Sequence, residues 1–150
     1  LVIIFLPYDN STDKVEDMLG TSIGIKSENT SAVIAQIQKG LPIKAFTLLK
    51  KNLGTTDKQL SSILGIPVST LARRKKGKRF LFEESERIFR IARLFEKAVG
   101  VFGSNDMARK WLKEPAWGLG DVAPIDYART EIGAREVENL LGRIEHGVFS

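Results

Sequence analysis

Apolar residues recur at three- and four-residue intervals along most of this chain, the spacing that gathers side chains on one face of an α-helix. Val33, Ile34 and Ile37 predict a helix over 31–39 that stops at Gly40. Pro42 opens a second, through Phe46, Leu48, Leu49 and Leu53, and Gly54 closes it. Leu60, Ile63 and Leu64 mark a short third helix, with Thr55 and Thr56 placed to cap it and Gly65 at its end. Pro67 and Val68 begin a fourth, with Leu71 facing inward and Ile66 plugging the corner before it. A long helix over 83–102 follows, its stripe Ile88, Ile91, Ala92, Phe95, Ala98, Val99 and Phe102. Gly103, Ser104 and Asn105 break it. Met107, Ala108, Trp111 and Leu112 then mark a further helix. The segment EPAWGLGDVAP reads as an ordered turn in which Trp117 and Leu119 need burial. A short helix over 124–130 leads to a last one over 134–146, with Val137, Leu140, Leu141 and Ile144 on one face and Gly147 as its cap.

Two segments depart from that period. LVIIFLPY, at 1–8, and TSIGIKS, at 21–27, are short and rich in β-branched residues, and read as short strands. The expected fold is therefore all-α, mainly helical, with a possible short β segment at the amino-terminal end. Three parts are expected: 1–40, a segment suited to dimerisation; 41–103, a helix-turn-helix unit with the long helix; and 104–150, a small helical domain.

Composition narrows the reading. The chain has 150 residues, 43% of them hydrophobic and 27% charged, and no cysteine. Disulfides and thiolate metal sites are excluded, which fits a reducing, cytoplasmic setting. The longest apolar run is far short of the roughly 18 residues a membrane span needs, and it lacks the basic start and small-residue cleavage site of a signal peptide. Formal net charge is +5. Between Asp57 and Arg79, seven Lys and Arg side chains oppose Asp57 alone, a local +6 that leaves −1 for the rest. So the basic character is a local patch of the kind that faces phosphate.

That patch ends the helix-turn-helix spacing of 57–76. The outer face of the second helix shows Ser69, Thr70 and Arg73, small hydroxyls and a guanidinium at the start of a recognition helix, suited to base edges. Thr56, Gln59, Arg74, Lys75, Lys76 and Lys78 are placed for phosphates. The same chemistry also lets one of Arg73 and Arg74 pair with Glu84 or Glu86.

From about residue 40 onward the chain resembles the Xre/MbcA/ParS antitoxins. The resemblance rests on Arg73-Arg74 closing the helix-turn-helix, and on Glu84-Ser85 with Arg87 opening the long helix. It continues through Trp111-Leu112 with Pro115, Leu119-Gly120 with Pro124, Thr130 with Gly133, Val137, and Ile144 to Gly147. Asp121 departs from the pattern, standing where many members have a second Gly. The resemblance implies an antitoxin of a two-gene operon, dimeric within a larger complex. Its carboxy-terminal domain would bind and occlude a RES-domain toxin that consumes NAD, and its helix-turn-helix would repress the operon. For that toxin contact the expected residues are Arg143, His146, Gly147, Val148, Phe149 and Ser150, an end of the chain slim enough to enter a nucleotide pocket.

Nothing in the residues suggests an enzyme or a cofactor. There is one histidine, His146, and no Gly-rich phosphate loop follows a strand. Glu83, Glu84 and Glu86 start a helix, where the dipole favours anions. The expected partners are the toxin, operator DNA and a second copy of the chain. The competing reading is a stand-alone helix-turn-helix regulator whose carboxy-terminal domain dimerises or senses a ligand.

Overall fold

The computed structural model describes residues 19–26 and 29–147. Among them are eight α-helices and no sheet: α1 Thr30–Lys39, α2 Ile43–Leu53, α3 Asp57–Leu64, α4 Val68–Gly77, α5 Phe82–Phe102, α6 Asn105–Lys113, α7 Pro124–Tyr127 and α8 Glu131–Glu145. Single 3-10 turns stand at Thr21–Ile23 and Trp117–Leu119.

Local chemistry fixes most of the boundaries. Thr56 and Gln59 form a reciprocal cap on α3: the Thr56 hydroxyl accepts from the Gln59 N–H and the Gln59 amide oxygen accepts from the Thr56 N–H. Gly65 ends α3 in the left-handed region at φ 64°, and the Ile66 N–H then donates to the Ser61 carbonyl. Ser61, Ile66 and Leu71 are all buried at this corner, so α3 and α4 cross closely. Around the unit, the strands of backbone before α2 and after α4 meet: Phe80 donates to the Leu41 carbonyl at 2.9 Å and Ile43 to the Lys78 carbonyl at 3.2 Å. The rings of Phe46 and Phe80 lie 6.0 Å apart beneath them.

The long helix α5 is the spine. It buries Ser85, Ile88, Ile91, Ala92, Leu94, Phe95 and Ala98. They join one continuous core with Phe46 and Leu49 of α2, Val33 and Ile37 of α1, Leu112 of α6 and Val137 and Leu141 of α8. The Ser85 hydroxyl, fully buried, accepts from the Leu41 N–H at 2.8 Å. Ion pairs Arg93–Glu138, at 3.2 Å, and Arg90–Glu131, at 3.5 Å, rim the contact of α5 with α8.

The carboxy-terminal helices are also tied to the helix-turn-helix unit. Arg109 and Lys113 of α6 donate to the Asn52 and Gly54 carbonyls, at 2.7 and 2.9 Å, where α2 ends and the helix dipole is negative. Burial, and the nearby Arg109 charge, depress the Lys113 ammonium below its ordinary range. Arg129 donates to the Ser62 carbonyl of α3 at 2.9 Å.

Four sequence expectations need correction. TSIGIKS is not a strand: Gly20 and Gly24 take φ 76° and 84° and fold Thr21–Ile23 into a 3-10 turn. The Glu96 carboxylate of α5 accepts from the Gly20 and Ser22 N–H groups at 2.9 Å and from the Ser22 hydroxyl. The Asn52 amide donates to the Ser22 carbonyl, which fixes the turn to α2 as well. Second, α8 starts a turn earlier than its apolar stripe suggests, and α7 is only Pro124–Tyr127. Thr130 caps α8 through the Gly133 N–H at 3.0 Å. Third, Trp117 is not in the core: it is 82% exposed, whereas Leu119 of the same turn is buried. Fourth, Ile34, expected on an inner face, is half exposed. The strand expected at 1–8 lies outside the described residues.

Gly133 is required by a close approach: a Cβ there would collide with the Tyr127 carbonyl oxygen. Gly133→Ala should lower stability by about 1–3 kcal/mol. Gly142, inside α8 with nothing near its Cβ position, should gain about 0.5–1 kcal/mol on replacement by Ala. Thermal denaturation of the two variants should show melting shifts of opposite sign.

Candidate functional sites on α4 and α8

Helix α4 presents the basic surface. Ser69, Arg73 and Lys76, spaced four and three residues apart, share its outer face and are all exposed. Thr70 is half-buried, and its hydroxyl accepts from the Arg73 guanidinium at 3.2 Å, which holds that side chain along the helix. Lys78 ends α4 in a left-handed conformation, φ 68°, with its side chain exposed and its N–H donating to the Arg74 carbonyl. Lys75 is exposed and pairs with Asp57 at 2.7 Å, while Lys50 pairs with the other oxygen of that carboxylate at 2.9 Å. Hydrogen bonds from Lys75 and then Lys50 hold the Asp57 carboxyl below its ordinary range. Thr56 and Gln59 are exposed at the start of α3, but their side-chain oxygens are engaged in its cap.

Arg74 is engaged across the helix pair. Its Nε and Nη2 donate to the two oxygens of Glu84 at 2.7 and 3.1 Å, a bidentate pair between α4 and α5. The same carboxylate accepts from the Leu81 N–H at 2.8 Å, so Glu84 at once caps α5 and anchors α4. Burial opposes its charge. The Arg74 guanidinium, the Leu81 N–H and the positive charge of Arg87 prevail, leaving the carboxyl below its ordinary range. Of the pairings the sequence allows for Arg73 and Arg74, the one made is Arg74 with Glu84, an acidic side chain one helix away with its own burial to offset.

Some cations near this surface were not among the predicted site residues. Lys58, Lys113 and Arg129 line a cleft of about 480 Å³ beside α3, together with Gln59, Ser62 and Asp126. Lys58 was legible in the basic run. Arg129 and Lys113 were not, because they reach α3 and α2 from sixty residues away and no local pattern encodes that.

At the other end, α8 closes with His146 and Gly147, both exposed, and Gly147 takes φ 71°. Arg143 is half-buried, with its Nε enclosed and without a hydrogen-bond partner. Val148, Phe149 and Ser150 lie outside the described residues. Among the described residues no cluster of His, Asp or Glu is arranged to hold a metal, and no helix is long and apolar enough to cross a membrane.

Comparison with known proteins identifies both halves. Residues 32–93 match the family described as an antitoxin Xre-like helix-turn-helix domain. Residues 97–147 match the antitoxin Xre/MbcA/ParS carboxy-terminal toxin-binding domain. An Antitoxin Xre of Photorhabdus laumondii is 38% identical over 135 residues, 88% of this chain and 90% of that protein.

The chain belongs to the Xre antitoxins.

An Antitoxin Xre of Yersinia enterocolitica is 35% identical over 134 residues, again 88% and 90% of the two chains. As an Xre antitoxin the chain is a binding protein rather than an enzyme, with a DNA-binding helix-turn-helix unit and a toxin-binding domain. The two matched regions meet between residues 93 and 97, inside α5. The family pattern also acquires physical reasons here. Glu84 is the double anchor just described, Thr130 and Gly133 form the cap of α8, and the second-Gly position held by Asp121 has φ 62°.

The Glu84 pair yields a pH signature. A depressed carboxyl adds stability that is complete above its ordinary value of 4.5 and is lost as pH falls through the lower folded-state value. Glu84→Gln should cost about 1–3 kcal/mol at neutral pH. In chemical denaturation series the gap between wild type and variant should shrink steadily below that ordinary value.

Proposed function

We propose that this antitoxin neutralises a RES-domain, NAD-consuming toxin encoded beside it and represses the operon they share. The observation that carries the reading is the joining of a helix-turn-helix unit and a toxin-binding domain on one helix, α5. The three-part division at 40 and 103 enters the same proposal. In it, 1–40 supports self-association, 41–103 reads the operator and 104–150 holds the toxin.

On the DNA side, Ser69, Thr70 and Arg73 read base edges in the major groove. Lys75, Lys76 and Lys78, with the start of α3 at Thr56 and Gln59, contact phosphates. A homodimer would set two α4 helices about one helical turn, roughly 34 Å, apart on a palindromic operator. Arg74 supports this surface from behind, through Glu84, rather than touching DNA. On the toxin side, the end of α8 and the segment that follows, from Arg143 through His146, Gly147, Val148 and Phe149 to Ser150, occlude the nucleotide pocket.

Arg73→Ala should cost about 1–3 kcal/mol on the operator and relax discrimination at one base pair. Lys76→Ala should weaken all sequences alike and reduce the slope of log affinity against log salt by about 1. Binding titrations on operator and scrambled duplexes at several salt concentrations separate the two.

For the toxin side, cellular NAD is the readout. Expression of the neighbouring gene alone should deplete NAD, and co-expression of this chain should restore it. Deleting Phe149 and Ser150 should impair that restoration while operator affinity stays unchanged. Full restoration by the truncated chain would refute occlusion by the tail, and no depletion by the neighbour would refute the NAD-consuming partner.

A further inference from the structure

The turn between α6 and α7 carries an exposed tryptophan on a stiff mount. Ala116 and Val122 form an antiparallel bridge, with the Ala116 N–H donating to the Val122 carbonyl at 3.1 Å. Inside the bridge, the Leu119 and Asp121 N–H groups both donate to the Ala116 carbonyl at 3.0 Å, and Gly120 donates to the Trp117 carbonyl at 3.2 Å. Leu119 is buried and pins the turn to the core. Gly118 lies against Leu140 of α8, close enough that an added Cβ would sit 3.2 Å from that side chain. Gly120 and Asp121 follow each other at φ 67° and 62°, a reversal for which Asp is less suited than Gly.

On this mount Trp117 is 82% exposed, the most exposed large apolar side chain among the described residues. Val122, bridge-paired to the residue before it, is 40% exposed. Leaving an indole in water forgoes the burial that usually stabilises such a side chain. A turn this well hydrogen-bonded does not need the indole outside: Leu119 already supplies its anchor. Tryptophan on a preorganised loop is the arrangement that dominates protein interfaces, since a large rigid surface is desolvated at little entropic cost.

We infer that Trp117, with Val122 at its side, is an anchor that docks this antitoxin onto its toxin by filling an apolar pocket on that protein. The inference rests on the antitoxin reading, because the turn lies inside residues 97–147, which match the toxin-binding domain. The distribution of exposed apolar residues points to the same region. Among the described residues, Met107, Trp117, Val122, Tyr127 and Ile132 belong to it, including the two most exposed, while Ile34, Val68, Leu81 and Phe82 lie outside it. As a docking anchor rather than the occluding tail, it would hold the toxin in place, so its loss acts on dissociation of the whole complex.

The test uses the full chain and the toxin encoded beside it, made catalytically inactive so that it can be purified alone. Trp117→Ala should weaken the complex about 30-fold or more, the level that marks an interface hot spot. Trp117→Phe should recover most of that loss. Melting temperature and operator affinity should stay at wild-type values in both variants. A toxin affinity within about threefold of wild type for Trp117→Ala would overturn the inference. So would an unchanged toxin affinity with a shift from dimer to monomer in sedimentation, which would assign Trp117 to self-association. Failure of the wild-type chain itself to bind the toxin would overturn the antitoxin reading along with it.

Discussion

The burial of one face of α5 is the constraint on which the molecule depends. Twenty-one residues from Phe82 to Phe102 present Ile88, Ile91, Ala92, Leu94, Phe95 and Ala98 inward. The helix-turn-helix unit and the carboxy-terminal helices both complete their cores against that stripe. Among the described residues neither half has a sheet, and the chain has no cysteine for a disulfide, so the apolar area they share through α5 is the dominant stabilising term. The polar contacts then set orientation: Ser85 with Leu41, Glu84 with Arg74, Glu96 with Ser22, and Arg109 and Lys113 with the end of α2.

This construction makes the antitoxin one core with two binding surfaces rather than two domains on a tether. The family matches divide inside α5, and the hydrogen bonds from α6 and from Arg129 reach across to α2 and α3. A ligand on one surface therefore meets a stiff support on the other. Glu84 illustrates how few side chains this takes. It closes the amino end of the shared helix and steadies α4 through Arg74.

Much of this was legible in the sequence, for local reasons. Helix periods, the Thr56 cap, the Gly65 turn and the basic end of α4 are encoded within a few residues of one another, so spacing reveals them. What was hidden depends on distant partners. The segment near residue 22 has β-branched residues, but Gly20 and Gly24 turn it and Glu96, more than seventy residues away, fixes the turn. Arg74 sits in a run of cations, and nothing local marks it as the one that pairs with Glu84 across the helix pair. Trp117 was misjudged because an indole in a Gly-rich turn suggests burial. Leu119 alone fills that role, and the indole is left to solvent. Such a reversal is expected at sites kept for partners, where local consistency gives way to function.

Direct binding and restraint of a toxin by this chain are tested by co-expression with its neighbouring gene, reading growth and co-purification together. Growth arrest by the neighbour alone, recovery when this chain is present and a complex that survives purification are expected. A neighbour that does not arrest growth, or a recovery with no complex, would contradict direct restraint and leave a DNA-binding regulator whose carboxy-terminal domain serves another end.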